Sequence, residues 1–257
     1  MAVQIVQGLS VNDLDRDEIL SLISSYFAQI DGLAFLSKCV FSLHVSSLLF
    51  LDDPKYLQSI STADLLYADG VSISLLARMA GAKKINRFPL TDLGHEVICS
   101  ANRLLQIEVR IGLIGGPEEL AINAGLALQK LHSCRIVFSK SGFDINWKQI
   151  EREVEEYKPH IIFVGLGTPL ETKVIAENIR SWDNVIVMNC GGWFGFLAGN
   201  EKRAPRILRY FGFEWIFRLL QDPKRLLYRY SRGSLRFALI AIQILMRRMV
   251  TALGRKR

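Results

Sequence analysis

Four arginines recur at helical spacing near the end of the chain, in the segment DPKRLLYRYSRGSLRF (residues 222–237). They are separated by four, three and four residues, which places them on one face of a helix. No acidic residue follows Asp222, whereas a solvated helical face normally carries both signs of charge. Guanidinium groups bind phosphates through paired hydrogen bonds. We therefore expect this face to bind an anionic partner; its residues are Arg225, Arg229, Arg232 and Arg236.

A second candidate functional residue is Asp69, in the segment LYADG. It lies between two apolar segments and is followed at once by Gly70. One interpretation is a turn residue that caps a helix starting near Val71. The other is a carboxylate at the mouth of a pocket, where it can accept a proton from a substrate. The residue pattern alone leaves both interpretations open.

Short apolar runs alternate with helical patterns along the chain, and these are the elements that must position the candidate residues. Continuous apolar strands with helices between them indicate a parallel sheet covered on both faces, so we predict a doubly wound α/β fold. Helices are expected over 117–131, 147–157 and 169–180, and residues 48–81 are predicted to be helical with a break at the acidic loop. Strands are expected over 34–45, 108–116, 134–142, 160–167 and 184–192.

The last four predicted strands end in glycine. Ligands of such sheets bind outside the carboxyl ends of the strands, so the glycine loops at 115–116, 165–167 and 191–192 should face one crevice. The sequence has neither GxGxxG nor GxxxxGK[ST], which disfavours a nicotinamide enzyme and a P-loop NTPase. The candidate binding glycines are Gly165, Gly167, Gly191 and Gly192.

Charge divides the chain at about residue 200. Residues 200–257 contain fifteen Lys or Arg and three acidic residues, whereas residues 1–199 carry a net charge of −5. We therefore predict a catalytic and substrate-binding body (1–199) and a basic C-terminal appendage (200–257). The apolar run FALIAIQILM (237–246) is too short to span a bilayer and has no use in a nucleic-acid channel. An anionic membrane surface is the favoured partner, and nucleic acid is not expected.

Other features of the sequence bear on the cellular location of the protein and on its cofactors. The N-terminal segment MAVQIVQGLSVNDLDRDEIL lacks the basic start and long apolar run of a secretion signal. We therefore expect a peripheral protein on the cytoplasmic face of the membrane. The predicted crevice loops contain no DxD motif, so neither a metal ion nor another cofactor is expected. The apolar run in the appendage also suggests a homo-oligomer.

The segment GNEKRAPRILRYFGFEWIFRLLQDPKRLLYRY, together with VGLGTP, YADG and NRFPLTDL, resembles the bacterial WecG/TagA/CpsF glycosyltransferases. The resemblance covers nearly the whole chain. It implies a Rossmann-like α/β body with a C-terminal helical appendage. It also implies an inverting, metal-independent transfer from a UDP-sugar to a polyprenyl-diphosphate-linked acceptor at the inner face of the cytoplasmic membrane.

The resemblance assigns roles to individual residues. Asp69 matches the proposed catalytic base of the family, and His44, where the family has asparagine, could assist proton transfer or bind the sugar. Ser42 falls where the family has threonine. The remaining matches are Arg87 and Asp92 near the active site, and Arg218, Arg225 and Arg229 as arginines that meet the lipid diphosphate and complete the pocket.

Two departures from the family pattern bear on the substrate. Glu171 replaces a glutamine, and Gly195 stands at the position of an aspartate. If the glutamine contacts the donor sugar, Glu171 would repel a uronic acid, so a neutral hexose such as glucose, used in exopolysaccharide or cell-surface polysaccharide synthesis, is expected. The alternatives are transfer of N-acetylmannosamine or its uronic acid, and a non-catalytic scaffold of a polysaccharide assembly complex.

Overall fold

The computed structural model describes residues 1–30 and 36–254, with the backbone alone at 30, 180, 225 and 252–254. The strands are β1 (Ala2–Val6), β2 (Leu9–Asn12), β3 (Lys38–Leu43), β4 (Leu65–Ala68), β5 (Val109–Gly115), β6 (Cys134–Lys140), β7 (Ile161–Gly165) and β8 (Ile186–Asn189). The helices are α1 (Arg16–Ile30), α2 (Pro54–Ser61), α3 (Val71–Ala80), α4 (Leu90–Leu105), α5 (Glu118–Leu131), α6 (Trp147–Tyr157), α7 (Leu170–Asn178), α8 (Trp193–Leu197), α9 (Arg206–Tyr210), α10 (Glu214–Gln221) and α11 (Pro223–Gly254). Short 3-10 helices span Val45–Phe50 and Ile179–Ser181.

A parallel sheet forms the centre of the molecule, and its strand order is β4-β3-β8-β7-β5-β6. Apolar residues of α1, α4 and α5 pack on one face, and those of α2, α3, α6 and α7 pack on the other. The predicted α/β fold with a parallel sheet is therefore confirmed. Strands β4, β3, β8 and β7 are neighbours, so their carboxyl ends lie side by side.

The expectation of helix across residues 48–81 was wrong at β4. Leu65–Ala68 is a fully buried strand that pairs in parallel with β3. A short apolar run such as LLYA suits a buried strand or a buried helix equally, and only pairing with the neighbouring strand decides between them. The antiparallel β1–β2 hairpin was not predicted. In the predicted strand 34–45, the strand occupies Lys38–Leu43, and residues 34 and 35 lie outside the described residues.

The last helix, α11, is docked on the body by its apolar side. Ile240 and Ile244 are buried in the core on the α2 and α3 side of the sheet. A Cβ atom at Gly233 would lie 2.9 Å from a methyl carbon of Val45, so glycine allows the close approach of α11 to the loop after β3. Within residues 1–30 and 36–254, no helix has the length and hydropathy needed to cross a membrane.

Candidate active site

A cavity of about 700 Å³ opens at the carboxyl ends of β3, β4, β7 and β8, and residues of α10 and α11 form its far wall. This volume is within the usual range for small-molecule sites. Most of the residues selected from the sequence line it. They are Ser42, His44, Asp69, Arg87, Gly165, Gly167, Glu171, Gly191, Gly192, Arg218 and Arg229. The loop at 115–116 does not line it, but Gly115 packs against the carbonyl oxygen of Gly165 so closely that a Cβ would lie 2.4 Å away.

Asp69 follows β4 directly and does not cap the helix that starts at Val71. The N-cap of that helix is Gly70, which makes no side-chain capping bond. The Asp69 carboxylate instead accepts a hydrogen bond from the backbone N–H of Leu90, the first residue of α4, at 3.1 Å. The positive end of the α4 dipole therefore faces the carboxylate.

The surroundings of Asp69 tune its basicity. Burial raises the pKa of the carboxyl group to about 6, against the opposing effects of the Arg87 charge and the Leu90 hydrogen bond. An ordinary aspartate is a much weaker base. A carboxylate with this pKa is ionised at neutral pH and still holds a proton well enough to serve as a general base.

Arg87 ties the end of β4 to the C-terminal helices. Its Nε donates to the backbone carbonyl of Asp69 at 3.2 Å, and one Nη donates to the carbonyl of Arg209 at 3.3 Å. The other Nη pairs with the buried carboxylate of Glu214 on α10. Arg87 was expected near the active site and lines the cavity, but much of its bonding capacity is used within the protein, where it positions the wall of the cavity.

Glu171 is 1% exposed and joins the loops that follow β7 and β8. One carboxylate oxygen accepts the N–H groups of Gly167 (3.0 Å) and Gly191 (3.1 Å). The other accepts from Asn189 Nδ2 (3.0 Å) and lies 3.4 Å from the Thr168 hydroxyl. Burial raises the pKa of Glu171, and these hydrogen bonds act against that shift.

This bonding pattern corrects the inference about the donor sugar. The carboxylate of Glu171 is occupied by donors from the protein, including two amides of the glycine loops. A direct contact between Glu171 and a sugar has no support in this geometry. The preference for a neutral hexose therefore loses its basis.

His44 is held by hydrogen bonds at both ring nitrogens. Nδ1 accepts the N–H of Ser46 at 3.2 Å, which assigns the ring proton to Nε2, 3.2 Å from the Thr168 hydroxyl. Burial lowers the pKa of His44 to about 4, and the charges of Arg229 and Arg218 add to the effect. The ring is therefore neutral near pH 7. It connects through Thr168 to Glu171, so its geometry favours a positioning role over proton transfer.

Ser42 is fixed by a residue that the sequence analysis missed. The Asn189 side chain accepts from the Ser42 N–H at 2.7 Å and donates to the Ser42 carbonyl at 3.3 Å, while its Nδ2 also reaches Glu171. Asn189 is buried at the end of β8. A single asparagine before a glycine pair carries too little signal in a sequence to be selected.

The arginine face divides among different partners. Arg229 lines the cavity, and among the described residues no carboxylate lies within ion-pair distance of it. Arg232 instead contacts the hydroxyl and ring of Tyr228, and Arg236 pairs with Asp52 at 2.6 Å. These two arginines lie outside the cavity lining. The side chain of Arg225 is outside the described part of the chain.

Arg218 joins Arg229 at the cavity from α10. It pairs with Glu201 at 3.3 Å, and its guanidinium lies 5.1 Å from the centre of the Phe196 ring. Glu201 and Glu214 both line the cavity and were missed from the sequence. The available signal was that they are two of only three acidic residues in the basic segment 200–257.

Asp92 was expected near the active site. It follows residues 89–91 of the cavity lining but is not itself part of the lining of the 700 Å³ cavity. Its carboxylate pairs with Arg203 at 2.9 Å, and Arg203 also donates to the Thr91 hydroxyl. Over the described ranges, no group of three His, Cys, Asp or Glu side chains is arranged to hold a metal ion.

Comparisons with known proteins identify a family and curated relatives of this chain. An N-acetylglucosaminyldiphosphoundecaprenol N-acetyl-beta-D-mannosaminyltransferase of Staphylococcus aureus (strain MRSA252) is 30% identical over 172 residues, which are 66% of this chain and 66% of the relative. The protein of the same name from strain MW2 is 29% identical over equal shares. The chain thus matches about two thirds of the length of these curated relatives. The sequence profile of the Glycosyl transferase WecG/TagA/CpsF family matches residues 3–251, and the chain belongs to this family.

Proposed function

We propose that this protein transfers a sugar from a UDP-sugar to a polyprenyl-diphosphate-linked glycan, with Asp69 as the catalytic base. The observation that carries the proposal is the position of Asp69. Its carboxylate, with a pKa of about 6, lies in a cavity that also contains Arg218 and Arg229. A base and two cations in one cavity are the groups that an attack by a hydroxyl and the departure of a diphosphate require.

N-acetylmannosamine is the proposed sugar, and N-acetylglucosamine on the lipid diphosphate is the proposed acceptor. Support comes from the activity named for the Staphylococcus aureus relatives. The earlier preference for glucose rested on Glu171, which is bound by the glycine loops. The products would be intermediates of a cell-surface polysaccharide.

The reaction would proceed in one displacement. The acceptor oxygen attacks the anomeric carbon, the bond from that carbon to the UDP oxygen breaks, and the acceptor proton passes to Asp69. Attack opposite the leaving group inverts the anomeric configuration. Arg218 and Arg229 would stabilise the negative charge that develops on UDP. Asp69 then returns its proton to water.

The C-terminal segment 200–257 is proposed to hold the body (1–199) on the cytoplasmic face of the membrane. Large apolar side chains are exposed on α9, α10 and the outer side of α11. The basic charge of the segment suits anionic lipid, worth about 1 kcal/mol per basic residue near the surface. The exposed residues include Ile207, Tyr210, Phe211, Trp215, Leu220, Leu235, Leu239, Ile242, Met246 and Met249.

Vesicle sedimentation tests the membrane proposal. Binding should be stronger to vesicles with anionic lipid than to neutral vesicles, and Leu239→Ser together with Ile242→Ser should weaken it. Ile122→Ser, on the exposed side of α5, serves as the control. Equal binding to both vesicle types would contradict the proposal. Loss of self-association in the double variant, without loss of vesicle binding, would instead assign this surface to contact between copies.

Release of UDP tests the transfer itself. We expect release from UDP-N-acetylmannosamine only when a polyprenyl-diphosphate-linked N-acetylglucosamine is present. Calorimetry with a panel of UDP-sugars provides a measure independent of turnover. If the protein binds no UDP-sugar, the proposed transferase activity is contradicted and the non-catalytic scaffold is favoured.

A further inference from the structure

A second cavity, of about 390 Å³, adjoins the first. It lies between α3, the start of α4 and the turn that joins α9 to α10. The two cavities share Arg87 and Glu214 in their linings, so this ion pair stands at their junction. A molecule that reaches Asp69 from the second cavity must therefore pass beside Arg87.

The charges around the second cavity do not cancel. Both of its carboxylates already have cationic partners, since Glu214 pairs with Arg87 and Asp92 pairs with Arg203. Two further arginines of the lining have no such partner: no carboxylate among the described residues lies within 4.0 Å of either guanidinium. These are Arg78 and Arg209.

The contacts of these two arginines leave bonding capacity free. Arg78 Nε donates to the carbonyl of Ile85 at 3.0 Å, and one Nη contacts the amide oxygen of Asn86, so its partners are neutral. The Nε of Arg209 is buried and has no hydrogen-bond partner in the described structure. Buried donors normally have partners, and a bound ligand is one way to supply them. Two guanidinium groups without carboxylate partners match the charge of a diphosphate.

The edge of this cavity is apolar. Tyr210 and Phe211, which line it, are 86% and 64% exposed. Exposed aromatic rings beside cations suit a ligand that has a charged head and a hydrocarbon chain.

We propose that the second cavity binds the diphosphate of the lipid-linked acceptor, with Arg78 and Arg209 as its cations. This inference rests on the proposed function. Both substrates of that reaction carry a diphosphate, and two such anions repel each other when they share one set of cations. Separate sites remove this repulsion: Arg218 and Arg229 hold UDP in the first cavity, and the acceptor sugar extends past Arg87 to Asp69.

Competition binding to the wild-type protein gives the first test. Farnesyl diphosphate serves as a short isoprenoid diphosphate, and calorimetry measures its affinity with and without saturating UDP. We expect both ligands to bind together, with little change in either dissociation constant. Displacement of farnesyl diphosphate by UDP would overturn the proposal, because it would place both diphosphates on the same cations.

Variants give the second test. Arg78→Gln and Arg209→Gln should each weaken farnesyl diphosphate binding about tenfold or more and raise the KM for the lipid acceptor, without changing the dissociation constant of UDP. Arg229→Gln should show the opposite pattern. Arg103→Gln, an exposed position on α4 outside both cavities, is the control, and Arg78→Lys and Arg209→Lys should restore part of the binding lost.

The outcomes separate this site from the proposed function. If no UDP-sugar is turned over but farnesyl diphosphate binds through Arg78 and Arg209, the site stands and the function fails. If transfer proceeds and both glutamine variants keep the wild-type KM for the acceptor, the site fails and the function stands. Equal losses in the Arg103 control would show nonspecific attraction and would also reject the site.

Discussion

The two walls of the large cavity differ in how their polar groups are satisfied. On the wall formed by the sheet, Glu171 and His44 make their hydrogen bonds within the protein. On the wall formed by α10 and α11, Arg229 has no carboxylate partner among the described residues, and Arg218 has one long ion pair to Glu201. The sheet wall is thus a fixed framework, whereas the helical wall offers positive charge to a ligand.

The difference shows how one cavity can hold its reacting groups in fixed positions and also bind an anion strongly. Glu171 holds the glycine loops in place before any substrate arrives, and Leu90 and Arg87 hold Asp69. Cations without internal partners bind an anion without first breaking an ion pair.

Asp69→Asn should have the largest effect, because it removes the one group on the sheet wall that is proposed to react. Loss of a general base lowers turnover by typically about 10²- to 10⁴-fold. The measurement is the rate of UDP release at saturating donor and acceptor. Asp52→Asn, which removes an exposed carboxylate outside the cavity, should keep nearly full activity. Near-normal turnover in Asp69→Asn would exclude Asp69 as the base.

Glu171→Gln tests whether the sheet wall is a fixed framework. The amide nitrogen would face groups that are themselves donors, and unsatisfied buried groups cost about 1–3 kcal/mol each. We expect the free energy of unfolding to fall by about 2 kcal/mol, as measured with urea. Glu177→Gln, at an exposed position on the same helix, is the control and should change stability little. An unchanged stability in Glu171→Gln would show that the glycine loops do not depend on a carboxylate.

The pH dependence tests the environment of Asp69. Since the base must be ionised, kcat/KM should rise about tenfold per pH unit below the pKa of about 6 and level off above it. The folded pKa is raised, so the stabilisation that comes from the protonated carboxyl is complete below about pH 4 and is lost as pH rises through about 6. An acid limb near pH 4 would mean that Asp69 keeps the pKa of an ordinary aspartate.

Arg236→Gln should have the smallest effect, because this arginine belongs to α11 but does not line the cavity. Its ion pair with Asp52 is exposed, and such pairs contribute about 0–1 kcal/mol. We expect stability to change by less than about 1 kcal/mol and UDP affinity to stay the same, by urea unfolding and calorimetry. A large loss of UDP affinity would show that the arginine face acts as a unit rather than dividing among partners.

Regular elements of the sheet were predictable because their signals are local. The continuous apolar runs around Val109–Gly115 and Ile161–Gly165 indicate buried parallel strands by themselves. The strand Leu65–Ala68 was not predictable, because four apolar residues suit a helix as well as a strand. The positions of Asp69 and Arg229 in one cavity were expected from the family resemblance, whereas the isolated positions Asn189 and Glu214 had no comparable signal.

The sequence by itself determined which residue types were available and how they repeat along each element. Helical period places the arginines of α11 on one face, and the uneven charge makes the segment 200–257 basic. Only the tertiary structure decided what each group does. The pKa of Asp69 depends on burial, on Arg87 and on the N–H of Leu90, and Glu171 meets an amide 20 residues away. Electrostatic and hydrogen-bond energies depend on distances between atoms, and folding sets those distances independently of separation along the chain.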